Sequence, residues 1–365
     1  MGKKTAVTLK QIAEVTGFSQ ASISMILNKR PDVSFSEDTV RLVHSTAKKL
    51  GYEKKADANR NKRSFGDNLV AVLCPNISNP YYSTLVQSIE QVAIEKDFRV
   101  MTLNTYRSTD LEAKYLSLLE GLGVDGIIFT IAPRDSAILA SVVKSVPSVV
   151  IGDKGGPLNI DTVETDNYSA SVLIARHLIS LGHKHVAYVS TTLDPSNGMR
   201  LRRLQGLEDT FRLECPNGKV LVRSRNVSSN EERQDMFIEH KVGWELTKEC
   251  LADKDITAIV AVNDMVAYGA IDAIVEAGLS VPKDYSVCGF DNIFPSRLSP
   301  ISLTTVDNYI VDKGHNAFSM LYSRIDSGAR TDNAVPNVIT RVEYPPHLVV
   351  RSSTARARDS VNALR

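Results

Sequence analysis

The chain has 365 residues, 43% of them hydrophobic and 23% charged, which suits packed cores in two or three units and excludes wholesale disorder. Its net charge of +1 hides an asymmetry: residues 1–65 carry 13 Lys/Arg against 6 Asp/Glu, a balance of +7, and the remainder balances at −6. No apolar run reaches the roughly 18 residues that span a bilayer, and MGKKTAVTLK lacks the apolar stretch of a signal peptide, so a cytosolic protein without a membrane partner is expected.

The N-terminal 52 residues read as purely helical. Thr8-Leu9-Lys10-Gln11 fits a capping box, Ile12, Ala13 and Val15 follow, and Gly17 ends the helix. Ser19 caps a second helix to about Leu27, with Ile23, Ile26 and Leu27 facing inward. A loop over 28–35 contains Pro31. Ser36-Glu37-Asp38 then opens a third helix, whose apolar positions Val40, Val43, Ala47 and Leu50 recur at helical spacing before Gly51 stops it. Residues 53–67, EKKADANRNKRSFGD, are a basic linker with almost no apolar content.

From Leu69 short β-branched runs alternate with amphipathic helices. Strands are expected at 69–73, 100–103, 126–130, 148–152, 185–190, 258–263 and 286–290, with helices near 80–95, 109–121, 135–144, 167–181, 199–213, 243–252 and 264–277. Continuous apolar strands separated by helices mean a parallel sheet covered on both faces. The stretch is too long for one such sheet. Two lobes are expected, divided near 155–167, where GGPLNIDTVETDN is polar and rich in breakers. The body runs over 68–354, and 355–365 reads as a tail too short for a stable coiled coil. Cys74, Cys215, Cys250 and Cys288 are far apart and read as structural thiols, a catalytic one being the alternative.

Helix, glycine turn, helix and third helix have the spacing of a helix-turn-helix. Ser19, Ser22, Ser24 and Asn28 line one side of the second helix, where short hydroxyls and amides suit DNA phosphates and sugars. Gln20, Ala21 and Met25 fall on the face that would enter the major groove. The bland alternative is a Ser/Ala-rich helix of a small bundle; the capping box, the turn and the +7 charge favour duplex DNA.

VTLKQIAEVTGFSQASISMILN resembles the DNA-binding head of the lactose-repressor (LacI/GalR) family. AKKLGY (47–52), NPYY (79–82), GVDGII (123–128), HLISLGHKHVAYV (177–189), VNDMVAYGA (262–270), LSVPKDYSVCGFDN (279–292) and PHLVVRSST (346–354) match in order. The resemblance covers residues 7–354. It implies a homodimeric transcription regulator, most simply a repressor, that reads a near-palindromic duplex operator. Thr8, Ser36 and Thr39 in the head and Lys54, Lys55 and Arg60 in the linker complete the implied DNA contacts. Two positions depart from the family pattern. Met25 stands where many members carry a guanine-reading arginine, and offers only apolar contact, for instance to a thymine methyl. Asn61 stands where the family's hinge leucine wedges into the minor groove, which implies a less bent operator.

The resemblance also implies a body of the type I periplasmic-binding-protein fold, whose ligand sits at the carboxyl ends of the strands. Asn79, Tyr81 and Tyr82 follow the first strand, Thr130 ends the third, Asp153 follows VVIG, Asn263 and Asp264 follow AIVAV, and Asp291 follows VCGF. Arg203 lies on the helix after HVAYVS; it and Asp291 are where the family places effector contacts. Acids, amides, an arginine and aromatics converging on a cleft suit a sugar first and a nucleobase or nucleoside second. Three have structural alternatives: Asp264 as a helix cap, Asn79 as a helix start and Tyr82 as core. Trp244 reads as packing, His183 and His185 as surface or structural with metal binding as the alternative, and 227–242 as an insertion, either at the pocket mouth or on the surface. Enzyme signatures such as GxGxxG after a strand, GxxxxGK[ST], HExxH and GxSxG are absent, and neither cofactor nor metal is expected. The rival is a solute-binding or enzymatic sugar protein using the body alone; specific binding to duplex DNA separates the two.

Overall fold

A computed structural model describes residues 7–27, 35–50, 68–152, 160–298, 300, 302–327 and 338–358. The chain divides into two compact units, Met1–Asp67 and Asn68–Arg365.

The first unit holds helices α1 (Leu9–Thr16), α2 (Gln20–Leu27) and α3 (Glu37–Leu50). Each begins on a hydroxyl residue for a local reason. The Thr8 backbone N–H donates to Gln11 Oε1 at 2.8 Å, Ser19 Oγ accepts the Ser22 N–H at 3.1 Å, and Ser36 Oγ accepts the Thr39 N–H at 3.3 Å. Gly17 ends α1 at φ +74°, a left-handed conformation that costs glycine little. Helices of eight residues are not stable alone. They are held here by burying Ile12, Ile23, Ile26, Leu27, Val43 and Ala47 against one another.

The second unit contains two six-stranded sheets. The first lobe uses β1 (Leu69–Cys74), β2 (Arg99–Asn104), β3 (Gly126–Phe129), β4 (Ser148–Ile151), β5 (Asp161–Thr165) and β11 (Arg341–Tyr344), in the order β11-β5-β4-β3-β1-β2 with every neighbour parallel. The second uses β6 (His185–Thr191), β7 (Lys219–Arg225), β8 (Ala258–Ala261), β9 (Ser286–Asp291), β10 (Thr304–Asp307) and β12 (His347–Val349), in the order β12-β10-β9-β8-β6-β7; only the β10–β12 pair is antiparallel. Helices α4 (Pro80–Glu95) and α12 (Ile310–Asp326) cover one face of the first sheet, and α5 (Thr109–Leu122) and α6 (Ser136–Ser145) the other. The second lobe is covered by α7 (Asn167–Ser180), α8 (Gly198–Glu214), α10 (Ile238–Cys250) and α11 (Asp264–Glu276), with a short α9 (Ser229–Gln234) before α10. β1, β3, β4, β8 and β9 are buried along their whole length, the physical counterpart of their unbroken apolar sequence.

All seven expected strands are present. The division between lobes differs from the expected single break. Strand β5 lies inside GGPLNIDTVETDN and belongs to the first lobe, and the chain crosses between lobes at 165–167, 307–310 and 344–347. DTVET holds a place in a buried sheet because the Asp161 carboxylate accepts Arg324 Nε at 2.7 Å, Arg324 Nη2 at 2.9 Å and the Thr340 N–H at 2.7 Å. The helix expected from 243 begins at Ile238, so Trp244 lies in its middle; its Nε1 donates to Glu276 on α11 at 2.6 Å. The tail boundary also moves. Arg358 donates to the carbonyls of Asp284, Lys254 and Ile256, and Ala355 O meets His183 Nε2, so the chain through 358 is part of the second lobe. His183 is buried and structural: burial pushes its imidazole down to about 4.

Candidate effector-binding cleft

A cavity of about 550 Å³ opens at the carboxyl ends of both sheets, within the range of small-molecule sites. Seven of the expected residues line it: Asn79, Tyr81, Tyr82, Thr130, Arg203, Asn263 and Asp291. Asp153 lies outside the described residues.

Asp264 does not line the cavity. Its carboxylate is fully buried and accepts Ile293 N–H at 3.1 Å, Ser296 Oγ at 2.6 Å and Thr305 Oγ1 at 2.6 Å, so it ties α11 to β10 and to the loop after β9. Nor is it the cap: Asn263 caps α11 by accepting the Val266 N–H. Asn263 combines this with a cavity role, its Nδ2 donating to Glu239 Oε2 at 3.0 Å. Asn79 does likewise in the first lobe, accepting the Tyr81 N–H at 2.9 Å and donating to Glu239 Oε2 at 2.7 Å. Tyr81 and Tyr82 stand edge to face at 5.0 Å, and burial pushes the Tyr82 phenol up to about 12.

Arg203 is the centre of the second lobe's contribution. Its Nε donates to Asn167 Oδ1 at 2.8 Å, Nη1 to the Val262 carbonyl at 2.5 Å, and Nη2 lies 4.0 Å from Asp291 Oδ1. The guanidinium also sits over the Phe290 ring at 4.5 Å. Asp291 and Asn292 have φ of +127° and +56°, a strained turn at the end of β9 next to the site. Asn308 Nδ2 donates to Asp291 Oδ1 at 3.1 Å, and Lys313 Nζ donates to Asn308 Oδ1. Burial raises the Asp291 carboxyl to about 6 against the opposing pull of Arg203, and burial lowers the Lys313 ammonium to about 7.

The structure adds Arg107, Arg134, Asn167, Arg200, Glu239, Asn308 and Lys313 to the lining. Arg107 was findable: it follows β2 as Asn79 follows β1. Arg200 lies one turn before Arg203. Asn308 and Lys313 depend on β10, a short strand without a long apolar run. Glu239 comes from the 227–242 segment, which therefore reaches the pocket. That segment also bridges the lobes, since Glu232 pairs with Arg107 and Ser229 Oγ donates to the Arg107 carbonyl at 3.1 Å.

In the first unit Thr8, Ser19, Gln20, Ala21 and Ser36 are exposed, while Ser22, Ser24, Met25 and Thr39 are half-buried. Ser19 and Ser22 share a hydroxyl contact at 2.9 Å, as do Ser36 and Thr39 at 2.8 Å. Asn28, Lys54, Lys55, Arg60 and Asn61 lie outside the described residues. Among the described residues no group of His, Cys, Asp and Glu could hold a metal, and no helix is long and apolar enough to cross a membrane.

Residues 67–346 match the model for periplasmic binding proteins and the sugar-binding domain of the LacI family. The chain belongs to the LacI family. Its relatives include the transcriptional regulator DegA of Bacillus subtilis, 30% identical with 95% of this chain and 98% of that protein covered, and the transcriptional repressor PurR of Histophilus somni, 28% identical over the same shares. A LacI-family regulator from Enterococcus faecium, solved with bound ribose, is 27% identical and superposes at a TM-score of 0.67, covering 80% of this chain and 100% of that one. Membership fixes the class of activity as regulation of transcription, not enzymatic catalysis, and assigns the body to the family's ligand-binding domain.

Proposed function

We propose that this LacI-family regulator is a homodimeric repressor of a near-palindromic duplex operator, controlled by a small polar effector in the cleft, a sugar in the first instance. The carrying observation is the cavity itself: acids, amides and Arg203 converge at the ends of two sheets, and side chains from both lobes close around it. The ribose held by the Enterococcus faecium regulator supports a sugar. A nucleobase or nucleoside is the second reading, on the Tyr81–Tyr82 rings and the surrounding amides. An effector acts by binding one lobe arrangement better than the other, and that difference is what couples cleft to operator.

In the head, Ser19, Ser22 and Ser24, with Thr8, Ser36 and Thr39, would hold phosphates, while Gln20, Ala21 and Met25 would face the bases. Asn28, Lys54, Lys55 and Arg60 complete the proposed contacts. Selection of bound duplexes from a random pool, with and without sugars and nucleosides, tests both halves. One enriched near-palindrome whose recovery changes with a small molecule is expected. No enrichment under any condition would remove the reading of a specific operator contacted by these head residues.

A further inference from the structure

We propose that the effector is an anionic polyol, a sugar that carries a carboxylate or a phosphate. The inference rests on the reading of the cleft as an effector site and narrows the chemical class.

Charge is the first argument. Arg107, Arg134, Arg200, Arg203 and Lys313 line the cavity, against Glu239 and Asp291 among the described lining residues. Behind the lining, Glu232 pairs with Arg107, and Glu112 and Asp194 feel the charge of Arg134, so the excess of cations holds among the side chains that face the cavity and not in the shell around it. Arg134 is exposed, but the Arg107, Arg200 and Arg203 side chains are nearly buried, where charge interactions are stronger than in water and a neutral sugar would leave them without an anionic partner of its own.

The backbone adds to the same field. Helix α8 starts at Gly198, and residues 195–199 line the cavity, so the positive end of a 17-residue helix faces it. Helix first turns ordinarily favour Asp or Glu. This one has no acid, and Arg200 and Arg203 stand in its opening turns instead. Asp194, the acid that precedes the helix, accepts from Ser196 and Asn197 and does not line the cavity. The Asn197 side chain leaves the helix uncapped.

A third, independent observation is an unmet donor. The Arg107 side chain is only 10% exposed, lines the cavity and leaves Nε buried without a hydrogen-bond partner. Buried donors are rarely left so. Glu232 already supplies the counter-charge of Arg107, and its own Oε2 is likewise buried without a partner; an oxyanion in the cavity would supply the acceptor that Nε lacks. Burial, and next the charge of Arg107, lowers the proton affinity of Arg200, which is the cost of two guanidiniums facing one space. At the other end Asp291, Asn308 and Asn263 supply the acceptors and donors that hydroxyl groups need.

Calorimetric titration of the full chain tests this with D-gluconate, D-glucuronate and D-glucose 6-phosphate beside D-glucose, D-ribose, guanine, adenosine and inorganic phosphate. At least one anionic sugar should bind roughly tenfold or more tightly than its neutral parent, and the preference should shrink with added salt. Whether the carboxylates or the phosphate win identifies the anion. Arg200→Gln and Arg134→Gln should each reduce the preference for the acid over the neutral sugar. Binding of a neutral sugar, guanine or adenosine with no tighter anionic counterpart overturns the inference and leaves the effector site standing. Inorganic phosphate binding as tightly as the sugar phosphate overturns the polyol half. Failure of every compound to bind overturns both the anion and the cleft reading.

Discussion

Asp291 sits close enough to Asp264 to raise its proton affinity, yet only Asp291 faces the cavity. Burial is the main cause at both, with the charge of Asp291 second at Asp264, and the carboxyls rise to about 7 and about 6. An acid whose folded-state value is raised keeps a proton that the unfolded chain has already released. Its contribution to stability is therefore fully present below the unfolded value of about 3.9 and is lost as pH rises through about 6 to 7. Lys313, lowered to about 7, runs the other way: its contribution is present at high pH and is lost as pH falls through 7. Asp264→Asn removes one of the falling limbs. The unfolding free energy of that variant, from urea titrations, should decline less than the wild type's between pH 5 and 7, by up to about 1.4 kcal/mol per pH unit. Parallel curves would show that Asp264 does not titrate in this window.

Helices α10 and α11 pack through a pair of glycines, one on each. A β-carbon at Gly243 would stand 2.1 Å from the Val266 carbonyl oxygen, and one at Gly269 would stand 1.9 Å from that of His240. Both contacts are to backbone, so no side chain can turn away to relieve them. Gly269→Ala must push the helices apart and should cost about 3 kcal/mol, the upper part of the range for overpacking. A urea midpoint equal to the wild type's would mean the helices separate freely. The element matters to the site because α10 carries Glu239 and α11 begins at the Asn263 cap; moving either displaces cavity donors or acceptors.

Across the whole second unit, the lobes meet through three chain crossings, an apolar contact in which Ile293, Met265 and Tyr268 pack into the first lobe's core, and a small polar clamp. Arg107 of the first lobe pairs with Glu232 of the second, Ser229 donates to the Arg107 carbonyl, and Asn79 donates to Glu239. Glu232→Gln removes the charge from the clamp and leaves Arg107 free to turn. Amide hydrogen exchange over 229–234 should accelerate by roughly tenfold or more, while the core of β8 and β9 keeps its protection. Unchanged exchange at 229–234 would show that α9 is held by its own capping box and not by the cleft.

Local chemistry determined much of this molecule directly. The capping residues of the three head helices, the seven apolar strands and the two-lobed α/β body follow from hydrogen-bond needs at helix ends and from burial on both faces of a parallel sheet. Six of the seven expected residues that line the cavity followed from one rule, that ligands sit just beyond the strand ends; the seventh, Arg203, came from the family resemblance. Tertiary structure decided the rest. DTVET is polar enough to read as a linker and becomes a strand only because Arg324, 163 residues away, meets Asp161. Asp264 and Asp291 each follow an apolar strand, and the sequence does not separate them. One is taken up by three donors from distant segments, while the other faces the cavity beside Arg203. The excess of cations in the cleft was equally hidden, because Arg107, Arg134, Arg200 and Lys313 are scattered along 207 positions of a chain whose body is acidic overall. Charge summed along the chain and charge summed around a cavity are different quantities, and the ligand meets the second.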